Sequence, residues 1–281
     1  MKTRKYFLNA ITILAAVSFT LTSCKKEDED TDTSGASDNA LAESTYQDAA
    51  NIADEAGTGA LSNYRIDPEN GGLLTTCATI TRDSANSADA DTITVDFGSV
   101  NCYCNDGRNR RGKILIVYNG TYRDSGSTWT ITFDNYFVND NQVMGSKTVT
   151  NNGHNSAGHL VYSINVNGTI LLANNGGTIT WTSQRQREWT AGESTPVWYD
   201  DTYSITGSAS GTGASGNTFT ANITNPLIRN MAFGCRRHFV QGTFEFTPSN
   251  KPMRTVDFGN GACDDIATVT INNHVYTIHL R

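Results

Sequence analysis

The sequence predicts a mainly β protein, an antiparallel meander or sandwich with one N-terminal helix. Three observations predict it. From residue 92 onward, apolar and polar residues alternate in short runs, the period of half-buried strands. Asn-Gly, Gly-Gly and Asn-Asn pairs separate many of these runs and favour tight hairpins. One early segment, Asp38 to Ala56, carries a helical stripe of Leu41, Ala42, Tyr46, Ala49, Ala50 and Ala53.

The first element, residues 1–23, reads as a leader. Lys2, Arg4 and Lys5 precede an apolar run from Tyr6 to about Leu21, which ends too soon for a membrane span. Leu21-Thr22-Ser23-Cys24 resembles the bacterial lipobox, which implies lipidation of Cys24 as the mature N-terminus. Residues 24–37 then read as a lipidated acidic tether. Its opening charged block, Lys25 to Asp30, stays solvated. The same block resembles the surface-export signal that Bacteroidetes place after a lipidated cysteine. The expected location is therefore the outer membrane, facing the cell surface.

Residues 38–70 read as a helix and its connection, with Asp38 as the cap and Gly57 as the stop. The stripe is mostly alanine, so this helix needs the β domain to dock on. Charge separates the parts: residues 25–70 hold twelve acids and three bases, whereas residues 71–281 are close to neutral. A near-neutral domain has no electrostatic footprint for nucleic acid.

Residues 71–281 read as the β domain. Most runs follow simple alternation, and Asn167-Gly168 is expected to turn the chain between strands at Leu160–Val166 and Thr169–Ala173. Val95-Asp96-Phe97-Gly98 recurs as Val256-Asp257-Phe258-Gly259. Each copy has a cysteine four residues after its glycine, Cys102 or Cys263, and another upstream, Cys77 or Cys235. The repeat predicts two related hairpin units stapled by Cys77–Cys102 and Cys235–Cys263, in keeping with an oxidising compartment. Cys104 is then the odd thiol, and Cys77–Cys104 is the competing pairing.

Several residues are candidates for chemistry. Arg108, Arg110, Arg111 and Lys113 make a basic, glycine-punctuated loop that suits an anion, or else a solvated hairpin tip. Trp181, Arg185, Arg187 and Trp189 share one strand face by the two-residue period. They form either a glycan-stacking ligand surface or a core cover with snorkelling arginines. Asp200-Asp201 and Asp264-Asp265 are adjacent acids that point to opposite faces. They lack the spacing of a calcium loop. His154, His159, His238, His274 and His279 lack zinc spacing. The sequence therefore nominates no catalytic residues, no metal and no cofactor. Asp83-Ser84-Ala85 and Asp91-Thr92-Ile93 resemble the Bacteroidetes O-glycosylation acceptor, which implies modification at Ser84 and Thr92.

Asp106-Gly107-Arg108 through Gly112-Lys113, Ser183 through Trp189, and Asp257-Phe258-Gly259-Asn260-Gly261 with Cys263 resemble an uncharacterised family of Bacteroidetes surface lipoproteins. The resemblance covers nearly all of residues 70–281 and implies an exported, lipid-anchored protein. It implies no activity. The expectation is a non-catalytic binding or structural module of the cell envelope, held to the membrane through its lipid. Its expected partner is a glycan or an envelope protein. The alternative is a glycan-active enzyme whose acids meet only in the fold.

Overall fold

The computed structural model describes residues 30–58, 77–83, 91–195, 197–236 and 238–280. The helix, α1, spans Ser34–Thr58. The first strands are β1 Thr79–Asp83, β2 Asp91–Asp96, the short β3 Cys102–Tyr103, β4 Asn109–Tyr118 and β5 Thr128–Val138. Then come β6 Asn141–His154, β7 Leu160–Leu171, β8 Thr178–Ala191, β9 Thr202–Thr212 and β10 Thr218–Asn230. The last are β11 Gln241–Pro248, β12 Arg254–Asn260, β13 Ile266–Ile271 and β14 His274–His279. All belong to one 14-stranded sheet, with each strand beside its sequence neighbour except that β2 pairs with β4 and β3 lies off the path. Every pairing is antiparallel. The expected meander is therefore realised as one continuous sheet.

The sheet curls around the helix. Six consecutive helix residues, Thr45 to Ala50, are all buried. At 3.6 residues per turn such a run covers the whole circumference, so the helix is enclosed at this level. Its alanines suit this, because Ala forms helix readily and lets a sheet approach closely. Bends come from bulges. Gly112 and Gly242 sit at register shifts in β4 and β11, at φ +84° and +107°. A glycine bulge kinks a strand and increases its twist.

The helix begins a turn before the expected start. Ser34 N–H donates to Asp32 Oδ1 at 2.9 Å, and Asp32 also pairs with Lys251 Nζ at 2.5 Å. Part of the expected tether thus belongs to the folded unit. Asp38, the expected cap, instead accepts a hydrogen bond from Ala214 N–H at 2.8 Å. The helix also runs through Gly57. It ends one residue later, at Thr58, so the expected stop is met to within one residue, and a Cβ at Gly57 would lie 2.3 Å from the Trp129 ring, so this glycine also admits a tryptophan.

Asn167-Gly168 is not the expected turn: both lie inside the unbroken β7. Gly168 faces inward, where a Cβ would lie 2.0 Å from the Tyr46 hydroxyl oxygen. At Gly168 the sequence signal for a bend reflects close packing.

The repeated tetrapeptide does mark equivalent structure. Asp96 Oδ1 accepts Gly98 N–H and Asp257 Oδ1 accepts Gly259 N–H, each at 2.8 Å. Gly98 and Gly259 have φ +80° and +83°, and Val95, Phe97, Val256 and Phe258 are all buried. Cys77–Cys102 and Cys235–Cys263 are both bonded, and Cys104 is a buried free thiol. The β1–β2 and β11–β12 hairpins are therefore stapled in the same way, one toward each end of the sheet.

Candidate functional site

Trp181, Arg185, Arg187 and Trp189 do share one face of β8, but it is the face turned to the helix. All four are buried. Trp181 Nε1–H donates to Asn39 Oδ1 at 2.9 Å, and Trp189 Nε1–H donates to Asp201 Oδ1 at 3.2 Å. Arg185 Nη2 pairs with Glu43 Oε2 of the helix at 2.7 Å. Arg187 donates to the Tyr122 hydroxyl and lies 4.8 and 4.7 Å from the Tyr162 and Tyr203 ring centroids. Three tyrosine faces thus receive a guanidinium that water would otherwise solvate. These four residues are not an outward ligand surface, and the arginines do not snorkel to water. Period-two alternation fixed their common face but not which side of the sheet it took.

The basic loop is committed to internal pairs. Arg110 is fully buried and forks onto Asp106 at 2.8 and 2.6 Å, and onto Asp48 of the helix at 2.7 Å. Arg108 reaches Asp48 at 2.8 Å. Burial raises the Asp48 carboxyl, but Arg108 and Arg110 outweigh it and hold the group below the usual carboxylate range. Arg111 pairs with Asp140 at 2.5 Å, and Lys113 with Asp96 at 3.3 Å. The loop meant to receive an external anion is thus pinned to four aspartates of the chain. Asp48 and Asp106 carry this network, and the sequence did not single them out because they are 58 positions apart and meet only across the helix–sheet interface.

The acids and histidines nominated from sequence are also engaged locally. Asp201 is buried against Trp189 and accepts from the Tyr203 hydroxyl at 3.0 Å, while Asp200 accepts from Thr195 Oγ1. Asp264 accepts the Ile266 N–H at 3.0 Å, and Asp265 lies 3.1 Å from His279. His154 and His159 meet Glu193 and Glu188 at 2.7 and 2.6 Å. Among the described residues no group of three or more His, Cys, Asp or Glu is placed to hold a metal. Cys24 and Ser84 lie outside the described residues, and Thr92 is half-buried in β2.

Two rows on the outer face are mostly hydroxyl and amide. One register row runs Thr94, Leu115, Thr132, Ser146, Asn167, Thr182, Ser210, Thr220 and Thr247, from β2 to β11. The next runs Thr130, Thr148, Asn165, Gln184, Ser208 and Asn222. Every member of both rows is exposed or half-buried. Hydroxyls touch across strands, with Thr182 Oγ1 3.0 Å from Ser210 Oγ and Thr224 Oγ1 2.8 Å from Thr243 Oγ1. Between β7 and β11 the face forms a depression of about 680 Å³ lined by residues including Asn167, Thr180, Thr182, Ser210, Thr218 and Thr220, none of them charged. Thr-x-Thr runs in the sequence carried the signal for these rows, although only strand register shows that they align.

A second opening of about 470 Å³ exposes a side of the helix at Ser37, Leu41 and Ser44, facing Leu172 and Ile278. Comparison with known proteins adds no relative: no family model, no curated protein and no solved structure matches the chain.

Proposed function

We propose that this protein is a lipid-anchored, non-catalytic binding module of the bacterial cell envelope, and that its outer sheet face holds a neutral, polyhydroxylated glycan. The observation that carries the reading is the aligned hydroxyl and amide rows of that face, with their uncharged depression. Hydroxyls and amides both donate and accept, which suits a partner with the same double capacity. Each such bond is worth only about 0.5–1.5 kcal/mol net, so useful affinity needs many contacts and favours an extended polymer. The aromatic and cationic groups of the β8 inner face are spent on the interior, so they are not available to an outside ligand. Lipid attachment at Cys24 and location at the outer membrane belong to the same proposal, supported by the leader and lipobox resemblance. The likeness to Bacteroidetes surface lipoproteins points the same way.

The test is binding to neutral envelope polysaccharides in a pull-down and on a glycan array, with Thr182→Arg and Thr220→Arg as variants. The wild-type chain is expected to bind at least one neutral glycan, and either charged intrusion to weaken binding about tenfold or more. Retention of full binding by both variants, or no binding of any glycan by the wild-type chain, overturns the glycan reading. Loss of palmitate labelling in Cys24→Ala tests the anchor separately.

A further inference from the structure

Buried cations gather in the interior between α1 and the sheet. Lys147, Arg185, Arg187 and Arg229 are all buried there. Asp48 is engaged by Arg108 and Arg110, and Asp201 by Trp189 and Tyr203. Arg187 is received by tyrosine rings, and Lys147 donates to Tyr46 O and Gln47 Oε1 at 3.1 and 3.4 Å.

Arg110 and Arg187 also bury an Nε without a partner, and what sets Arg185 and Arg229 apart is that both line a cavity. Arg185 uses Nη2 on Glu43, but its Nε and Nη1 are buried with no hydrogen-bond partner. Arg229 uses Nη2 on the Arg236 carbonyl at 2.5 Å, and its Nε is likewise buried without a partner. Both residues are more than nine-tenths buried, and both line the same small cavity under the helix. Burial and the charge of Arg108 drive the Arg229 guanidinium down to about 10, against the pull of Asp48 and Glu43.

We propose that this cavity is a site for one small inorganic anion of the halide class, held between the guanidinium groups of Arg185 and Arg229. Size selects the class. The cavity volume of about 30 Å³ admits one or two water-sized guests and excludes a sugar acid or a lipid carboxylate with its chain. Its walls suit a halide, with buried N–H donors on one side and Leu227, Phe239, Phe244 and Phe258 on the other. Charge selects it too. Among the described residues, the cavity is lined by two guanidinium groups and one carboxylate, Glu43, with His238 beside them, and an anion would offset the second guanidinium charge. Water satisfies the donors but leaves the charge. The sequence hides this site, because Arg185 and Arg229 lie on β8 and β10, with β9 between them, and share only a cavity.

Thermal unfolding of the full chain at constant ionic strength tests the proposal, with gluconate replaced stepwise by chloride or bromide. A ligand that binds only the folded state raises the folding constant by the factor 1 + [L]/Kd, tenfold for each tenfold rise in free anion above Kd. The melting temperature is expected to climb with chloride and with bromide along this curve. Arg185→Gln, which keeps much of the volume but removes the charge, is expected to abolish the dependence. Should that variant fail to fold, bromide anomalous scattering from wild-type crystals decides, with a peak expected between the two guanidinium groups. A wild-type melting temperature indifferent to the halide, or a site that holds water only in bromide-soaked crystals, overturns the proposal.

Discussion

Tyr46 of the helix fills the place that a side chain at position 168 would take, its hydroxyl oxygen 2.0 Å from where a Cβ on Gly168 would stand. That hydroxyl donates to the Met144 carbonyl at 2.8 Å and lies 3.3 Å from the Thr169 carbonyl. The ring stacks on Trp181 at 5.7 Å between centroids. Gly168→Ala is therefore expected to displace Tyr46 and cost about 2–4 kcal/mol in urea unfolding, the range of an overpacked core. Tyr46→Phe, which keeps the ring, is expected to cost about 1 kcal/mol. In a double-mutant cycle Tyr46→Ala is expected to absorb most of the Gly168→Ala penalty. Simple additivity of the two would contradict the contact.

Gly168 also shows where sequence reasoning stops. Alternation located the strands, since each needs only its own residues to show a period of two. The Val-Asp-Phe-Gly repeat located the staples, since each hairpin carries its own cysteines. The glycine signal at 168 misled because a glycine that admits Tyr46 is indistinguishable, along the chain, from one that turns it. Asp38 is the cap the sequence offers, and only the fold shows that it binds the Ala214 N–H while Asp32 takes the Ser34 N–H and Lys251. The inward placing of Trp181 and Arg185 depends on the sheet closing around the helix, a property of the whole sheet that no local window contains.

The matched staples are expected to behave alike. Their loops span 25 and 28 residues, which in the chain-entropy picture gives each bond about 3–4 kcal/mol. Cys77→Ser with Cys102→Ser, and Cys235→Ser with Cys263→Ser, should lower stability by similar amounts in chemical denaturation. Cys104→Ser should leave both bonds intact in a non-reduced peptide map. A Cys77–Cys104 peptide in the wild-type chain would refute this assignment.

The Asp48–Arg110–Asp106 network is expected to be costly to break. Asp48→Asn leaves the buried Arg110 and the nearby Arg108 with one carboxylate fewer, and removal of one partner from a buried pair costs about 3–5 kcal/mol. Replacing Arg110 by Met leaves both carboxylates short of a partner and should cost a similar amount. The Asp48 carboxyl lies below its unfolded value, so its contribution is complete above the unfolded pKa and fades as pH falls through the folded one. Acid titration of stability should therefore show a steeper loss in the wild-type chain than in Asp48→Asn. Parallel acid limbs would remove Asp48 from the account.

Lys147 sets the alkaline side. Burial, with help from Arg187, pushes its ammonium down to about 7 from the ordinary 10.5, against the pull of Glu43. Between those two values the unfolded chain holds a proton on this lysine that the folded chain has shed. The unfolded state then binds more protons, so stability rises with pH across that window and is lowest below pH 7. A full shift of this size corresponds to a penalty of about 5 kcal/mol for holding the charged form inside. Lys147→Met removes the titrating group and keeps an apolar stem of similar length, and such replacements of buried charge are often stabilising. At pH 6 the variant is expected to be more stable than the wild type by a few kcal/mol. By pH 9.5 the advantage should shrink to near nothing, because the wild-type lysine is then neutral in the fold, where it keeps its bond to the Tyr46 carbonyl. Urea unfolding of both chains at pH 6, 8 and 9.5 measures this difference directly, and a gap that stays constant with pH would show that Lys147 is charged in the fold throughout.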